Sequence, residues 1–313
     1  MRTSLHVNRS RIGVVEAPLF SLPWERLEDL PRWRALPSGW SDGRIANYRR
    51  RTDMHGNEAR SSARSGLPGG IGLYTPDAGE AADFYRALFS WDIVSSDSQT
   101  EISAFSLGSG MIANVHAAVG RSEDSQHFAG WQISLSVSDV DTALGKVEEN
   151  GGKIVIPRTK NGEGDKRAVV RDSTGARLGV IEDRGNEGFS AFGPGLPVWY
   201  EVLVTDFEKG MRFYRDVFGW ECRLYAPEGK NVPYATNRKG ESSVCGIGDA
   251  SYFGREGESS LWRVYFGAED IDSSAKRVDD LGGKTLSEPR DTPWGRVAEA
   301  ADPQGAMFMM YQI

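Results

Sequence analysis

The chain has 313 residues, 39% of them hydrophobic, which is enough apolar sequence for two ordinary domains with cores of their own. Its net charge of −7 argues against a nucleic-acid surface, which needs excess Lys and Arg, and it contains no apolar run of roughly 18 residues to span a membrane. Two cysteines, Cys222 and Cys245, are too few for a disulfide framework or a thiolate zinc site, and both read as buried free thiols in strand-like runs.

Residues 1–66 differ from the rest. They hold twelve Arg and no Lys against seven acids, a net of +5, which leaves −12 for the remainder. Leu22 to Leu30 reads as one short helix ended by Pro31, and Ser, Gly and Arg then crowd the segment, as in Arg49-Arg50-Arg51 and Ser61 to Gly66. The expectation is a largely disordered N-terminal extension. The N-terminus has no charged-then-apolar secretory pattern, so the cytoplasm is the expected location.

From Leu67 the chain repeats itself. Asp83-Phe84-Tyr85-Arg86-Ala87-Leu88-Phe89-Ser90-Trp91 precedes Arg212-Phe213-Tyr214-Arg215-Asp216-Val217-Phe218-Gly219-Trp220 by 129 residues, and Asp77 meets Asp206 at the same offset. Trp131 to Asp141 meets Trp262 to Asp272, Gly151-Gly152-Lys153 meets Gly282-Gly283-Lys284, and Asp172-Ser173-Thr174-Gly175 meets Asp302-Pro303-Gln304-Gly305. The predicted organisation is an extension over 1–66, a first module over 67–185, a linker over 186–192 and a second module over 193–313.

Each module carries the same rhythm. A short alternating strand, such as Val198 to Val204, ends at an Asp able to cap a helix. The helix follows, with Met211, Tyr214 and Phe218 on one apolar face, and stops at Gly219-Trp220. Three strands come next, with turns at Gly108 and Gly240. The cycle then repeats from Trp262, through a cap at Asp270–Asp272, a helix to Leu281 and a Gly-Gly stop. The turn at Asp302 to Gly305 joins the last two strands.

This pattern resembles the vicinal oxygen chelate superfamily, the glyoxalase, bleomycin-resistance and dioxygenase proteins, over essentially all of 67–313. The motifs that carry it are the Asp-led helix ending in Phe-Tyr-x-x-x-Phe-Gly/Ser-Trp, the Asp-Val/Ile-Asp helix ending in Gly-Gly-Lys, and the Asp-Pro-x-Gly turn. The tandem form is similar to actinobacterial glyoxalase-like proteins. The resemblance implies an α+β fold in which each module pairs two βαβββ units, with curved mixed sheets and helices outside. The sheets would form a cup for a small molecule, and the two modules would build two cups.

Metal-dependent members place His or Glu at four strand positions, where a divalent ion polarises two vicinal oxygens. Carried onto this sequence, those positions are Gly70 and Trp199, Gln132 and Arg263, Gly179 and Met309, and residues near Ser103 or Phe105 and near Ala235 or Asn237. None of these is an ordinary ligand except Gln132, a weak one, and Arg263 repels cations, so no metal and no other cofactor is expected. An irregular site from His116, His127 and Glu101 matches no motif. His6 and His55 lie in the extension.

Strand alternation then sets the cup lining. Trp199 and Glu201 share a face, as do Arg263 and Tyr265, and Met307, Met309 and Tyr311, while Phe308 and Met310 turn toward the helices. With Tyr74 and Gln132 of the first module, these are the expected ligand-binding residues. Apolar walls with a few polar groups suit a planar, aromatic organic molecule. One function class is therefore a binding, carrier or resistance protein. The other is a metal-independent isomerase, lyase or hydrolase, with Glu201 as general base and Arg263 or Tyr265 steadying an anion. A metal-dependent lyase or dioxygenase is a weaker third. Glu201 and Arg263 can equally form a structural ion pair. The corresponding first-module positions, Gly72, Gln132, Ser134 and Gly179, predict a roomier, uncharged cup. Trp294-Gly295-Arg296 reads as a loop from which Arg296 reaches a ligand or solvent. The expected partner is a small molecule, with no nucleic acid and no membrane, in a monomer with pseudo-symmetric modules or a homodimer.

Overall fold

The structure is a computed structural model, and it describes residues 65–95, 102–118, 128–160, 166–183, 192–225, 232–292 and 294–313. The Arg-rich extension with its short helix, His6, His55, His127, Glu101 and most of the 186–192 linker lie outside those residues.

In chain order the first module holds β1 (Pro68–Thr75), α1 (Ala78–Phe89), β2 (Asp92–Ser95), β3 (Ile102–Leu107), β4 (Gly110–Ala117), β5 (Gly130–Val137), α2 (Val140–Glu149), β6 (Lys153–Lys160), β7 (Lys166–Arg171) and β8 (Arg177–Glu182). The second holds β9 (Pro197–Val204), α3 (Phe207–Phe218), β10 (Arg223–Leu224), β11 (Tyr234–Thr236), β12 (Cys245–Asp249), β13 (Leu261–Ala268), α4 (Ile271–Asp280), β14 (Lys284–Thr292), β15 (Gly295–Ala301) and β16 (Met307–Gln312). This is the expected βαβββ rhythm, twice per module. Among the described residues all four α-helices start at an Asp: Asp77, Asp139, Asp206 and Asp270 each accept a backbone N–H three residues on, at 2.7–3.0 Å. The first helix of each module ends in a left-handed residue, Ser90 at φ 59° and Gly219 at φ 71°.

Each module forms one eight-stranded mixed sheet, in the orders β2-β3-β4-β1-β5-β8-β7-β6 and β10-β11-β12-β9-β13-β16-β15-β14. The two units of a module join edge to edge, β1 antiparallel to β5 and β9 antiparallel to β13. Each sheet, and hence each cup, is therefore the product of a single module.

The inter-module joint is built from the repeat motifs themselves. Trp131 Nε1 donates to Tyr85 Oη at 3.0 Å, and Tyr85 donates to Asp302 of the other module at 3.1 Å. The mirror relay runs from Trp262 to Tyr214 at 3.0 Å and on to Asp172 at 2.8 Å. Trp91 Nε1 donates to Gly195 O and Trp220 Nε1 to Gly66 O. Phe89, Trp91 and Trp131 pack on Phe266 at 5.2–5.3 Å, so one hydrophobic core serves both modules. Burial raises the pKa of both turn aspartates against the bonds they accept.

Three local expectations are corrected. Cys245 is buried in β12, but Cys222 is half-buried outside any strand, at φ 47° beside the α3 stop. Arg296 stands in β15 and is ion-paired with Asp272 and Asp291, because β15 begins directly at Gly295. Met307 is 43% exposed at the start of β16, outside the packed lining.

Candidate functional site

The second module brings together the residues expected from strand alternation. Register sets Arg263 opposite Glu201, Tyr265 opposite Trp199, and Tyr265 beside Met309. Tyr200, Val202 and Val204 face the helices instead. One carboxylate oxygen, Glu201 Oε2, takes donors from both Arg263 and Tyr265. Arg263 Nη2 forms an ion pair with it, Arg263 Nε donates at 3.1 Å, and Tyr265 Oη donates at 2.8 Å. Glu201 is 4% exposed and Arg263 9%. Burial alone would lower the Arg263 pKa. Tyr265 and Glu201 beside it outweigh that, and the guanidinium is held above its ordinary value.

This cup is full. Trp199 Nε1 donates to Tyr234 Oη at 3.1 Å, and Tyr234, Phe253 and Trp294 pack together at 5.7–6.1 Å. Tyr225 leans on Trp294 at 5.5 Å, and Tyr311 Oη donates to Trp294 O at 2.8 Å. Glycines on β12 make the room. A Cβ on Gly246 would collide with Tyr234 Oη, and one on Gly248 would sit 2.6 Å from Phe253.

The first module reverses this distribution of bulk. Its concave face carries Gly70 and Gly72 on β1, Gln132 and Ser134 on β5 and Gly179 on β8, where the second has Trp199, Glu201, Arg263, Tyr265 and Met309. On β4 the glycines of β12 are replaced by Asn114 and His116. A cavity of about 160 Å³ lies over the glycine floor, lined also by Asn114, His116, Gln132, Ser134 and Arg167. A Cβ on Gly70 would meet nothing within 4 Å.

The cup is roomier, as expected, but it is not uncharged. Arg167 on β7 lines it, and Arg177 on β8 donates to Gln132 Oε1 at 3.0 Å. Arg177 lies 4.9 Å from the centre of the Phe128 ring. Gln132 is thereby oriented, with its Nε2 3.5 Å from Tyr74 Oη. Burial pushes Tyr74 up, against the pull of Arg177 and Arg167. Tyr74 stacks on His116, with ring centres 4.7 Å apart.

Sequence comparison of matched cup positions missed His116, Asn114, Arg167 and Arg177. Three of them stand on β4 and β7, flanking the strands compared. Period-two alternation carried outward from Gly72 and Gly179 would have placed them on the concave face. At the fourth metal position Ser103 donates to Val94 O, Phe105 and Ala235 are buried, and Asn237 accepts from Val244 N and Cys245 N. Among the described residues no three His, Cys, Asp or Glu side chains cluster.

The Mn(II)-bound glyoxalase from Novosphingobium aromaticivorans superposes with TM-score 0.53 at 14% identity, over 80% of this chain and 82% of that one. The likeness shows the shared fold. Among curated proteins, the anthracycline biosynthesis protein DauV of Streptomyces sp. (strain C5) is 30% identical over 269 residues, which are 79% of this chain and 94% of DauV. CFP32 of Mycobacterium tuberculosis, provisionally named a glyoxylase, is 28% identical over 256 residues, 80% of this chain and 95% of its own. Residues 69–180 and 197–310 each match the family described as Glyoxalase/Bleomycin resistance protein/Dioxygenase superfamily. With both modules matched, and the two-unit sheet found in each, the chain belongs to that superfamily as a tandem, two-module member.

Proposed function

We propose that this protein binds a planar aromatic molecule of secondary metabolism in its first cup, without a resident metal. The observation that carries the reading is the glycine floor beneath an open, polar-rimmed cavity of about 160 Å³. A dry cavity of about 150 Å³ holds one benzene ring, so this cup admits one substituted ring while the rest of a fused ligand protrudes. Asn114, Gln132, Ser134 and Arg167 offer hydrogen bonds to phenol, quinone or enolate oxygens. A relative named for anthracycline biosynthesis supports the same class, since anthracyclines are fused aromatics rich in such oxygens.

The donor set does not fit a divalent ion. Gly70 and Gly179 bring no donor, and the carbonyl of Gln132 is already taken by Arg177. In the second module the corresponding residues are Trp199, Arg263 and Met309, and the cation there is the guanidinium itself. With Arg263 and Tyr265 both bound to Glu201 Oε2 and the carboxylate buried, its ion pair with Arg263 is structural in this reading. The alternative, Glu201 as a general base, needs that ion pair to open.

The test is a titration with 2-hydroxy-1,4-naphthoquinone, followed by calorimetry. One molecule per chain is expected, with binding lost in Gly70→Trp, which copies the bulk found at Trp199. Binding that survives Gly70→Trp and fails in Glu201→Gln would move the site to the second module and restore the alternative.

A further inference from the structure

The reading of the first cup as an aromatic-binding site is the base on which a reaction can be placed. His116 lines the cavity from β4. The Cδ2–Nε2 edge of its ring lies 3.2 and 3.4 Å from where a Cβ on Gly72 would stand, so the bare floor lets the imidazole lean over the cup. Its other face is fixed by the stack on Tyr74. Among the described residues neither ring nitrogen has a hydrogen-bond partner. Arg167 stands on β7, four strand spacings or about 19 Å away along the sheet. It nevertheless lines the same cavity as His116, because the sheet curls and brings β7 round toward β4.

We propose that the first cup is a proton-transfer site, with His116 as general base on one wall, and Arg167 on the far strand with the Gln132 amide on the floor as an oxyanion clamp. The substrate class is an aryl ketone whose sp3 α-carbon carries an acidic C–H next to the carbonyl. His116 takes the carbon-bound proton. The C–H electron pair becomes the new C=C bond, and the carbonyl π pair moves to oxygen, where Arg167 and Gln132 hold it. Return of the proton to oxygen or to another carbon completes a tautomerisation that consumes no oxidant, reductant or co-reactant. Burial first, and Arg167 second, hold the His116 pKa below its ordinary 6.5, so the free base is present at neutral pH. Among the described residues the charged or titratable groups facing it are Tyr74 on β1 and Arg167 on β7.

The probe is 5-nitrobenzisoxazole with the full chain. A base removes the ring C–H proton, those electrons form a nitrile, the N–O bond breaks, and 2-cyano-4-nitrophenolate appears as colour. Saturable turnover is expected, falling at least tenfold in kcat in His116→Gln with KM changed less than threefold. The rate should be level through neutral pH and fall only below the ordinary imidazole range. Gly70→Trp, which fills the cup while leaving the imidazole in the chain, should abolish turnover with the fold intact by near-ultraviolet circular dichroism. Turnover unchanged in His116→Gln overturns the assignment. Absent turnover in a protein that binds 2-hydroxy-1,4-naphthoquinone overturns the proton transfer alone, whereas absence of both overturns the binding reading beneath it.

Discussion

Glu201 and Arg263 show how much a single residue's environment decides. A carboxylate deep in a cup is a natural general base, yet here three donors converge on one oxygen of a buried carboxylate. Removing one partner of such a pair strands the other charge, and the loss is typically about 3–5 kcal/mol, whereas replacing both by apolar groups is often neutral or better. Arg263→Met is therefore expected to lower unfolding free energy by roughly that amount in urea melts, and Glu201→Met with Arg263→Met to recover most of it. A double variant as unstable as the single would contradict a purely structural pair. His116 makes the opposite case. Its folded pKa is depressed, so the neutral ring contributes stability that is present above pH 6.5 and lost as pH falls through the folded value. His116→Gln should flatten that acid-side loss in thermal melts between pH 7 and 5.

At the level of elements, the two sheets are one design with bulk exchanged between strands. Large side chains on β9, β13 and β16 are matched by glycines on β12, and small ones on β1, β5 and β8 by Asn114 and His116 on β4. Gly246→Val should force Tyr234 out of the second cup and cost about 1–3 kcal/mol, the usual range for overpacking, measured by chemical denaturation. The strands, helices and caps were legible because each is encoded locally: an Asp before an apolar stripe, a Gly or Ser after it, and two-residue alternation between. The pairing of Glu201 with Arg263 was legible for the same reason, since register follows from alternation once β9 and β13 are neighbours. The closure of that cup was not. Tyr234 comes from the start of β11 and Phe253 and Trp294 from turns, and the room for Tyr234 and Phe253 depends on the glycines of β12, a long-range fit with no periodic signature. Arg177 escaped for a related reason, because its role lies in what it does to Gln132 across two strands.

For the molecule as a whole, the motifs that mark the family also form its joint. The helix Tyr and Trp and the turn Asp of each module bond across to the other, and Phe266 and Phe308 pack against Phe89. Residues 67–313 should therefore unfold in one calorimetric transition, with Tyr85→Phe weakening both modules together. Two separate transitions would show that the modules hold independently. Such a joint lets the scaffold stay fixed while the cups diverge: one closed by its own side chains, the other open over glycines. That division of labour is tested most directly by the stoichiometry of 2-hydroxy-1,4-naphthoquinone binding in the native chain and in Gly70→Trp. One site per chain, lost in the variant, is the expected result. Two sites per chain, or one untouched by filling the first cup, would contradict the account.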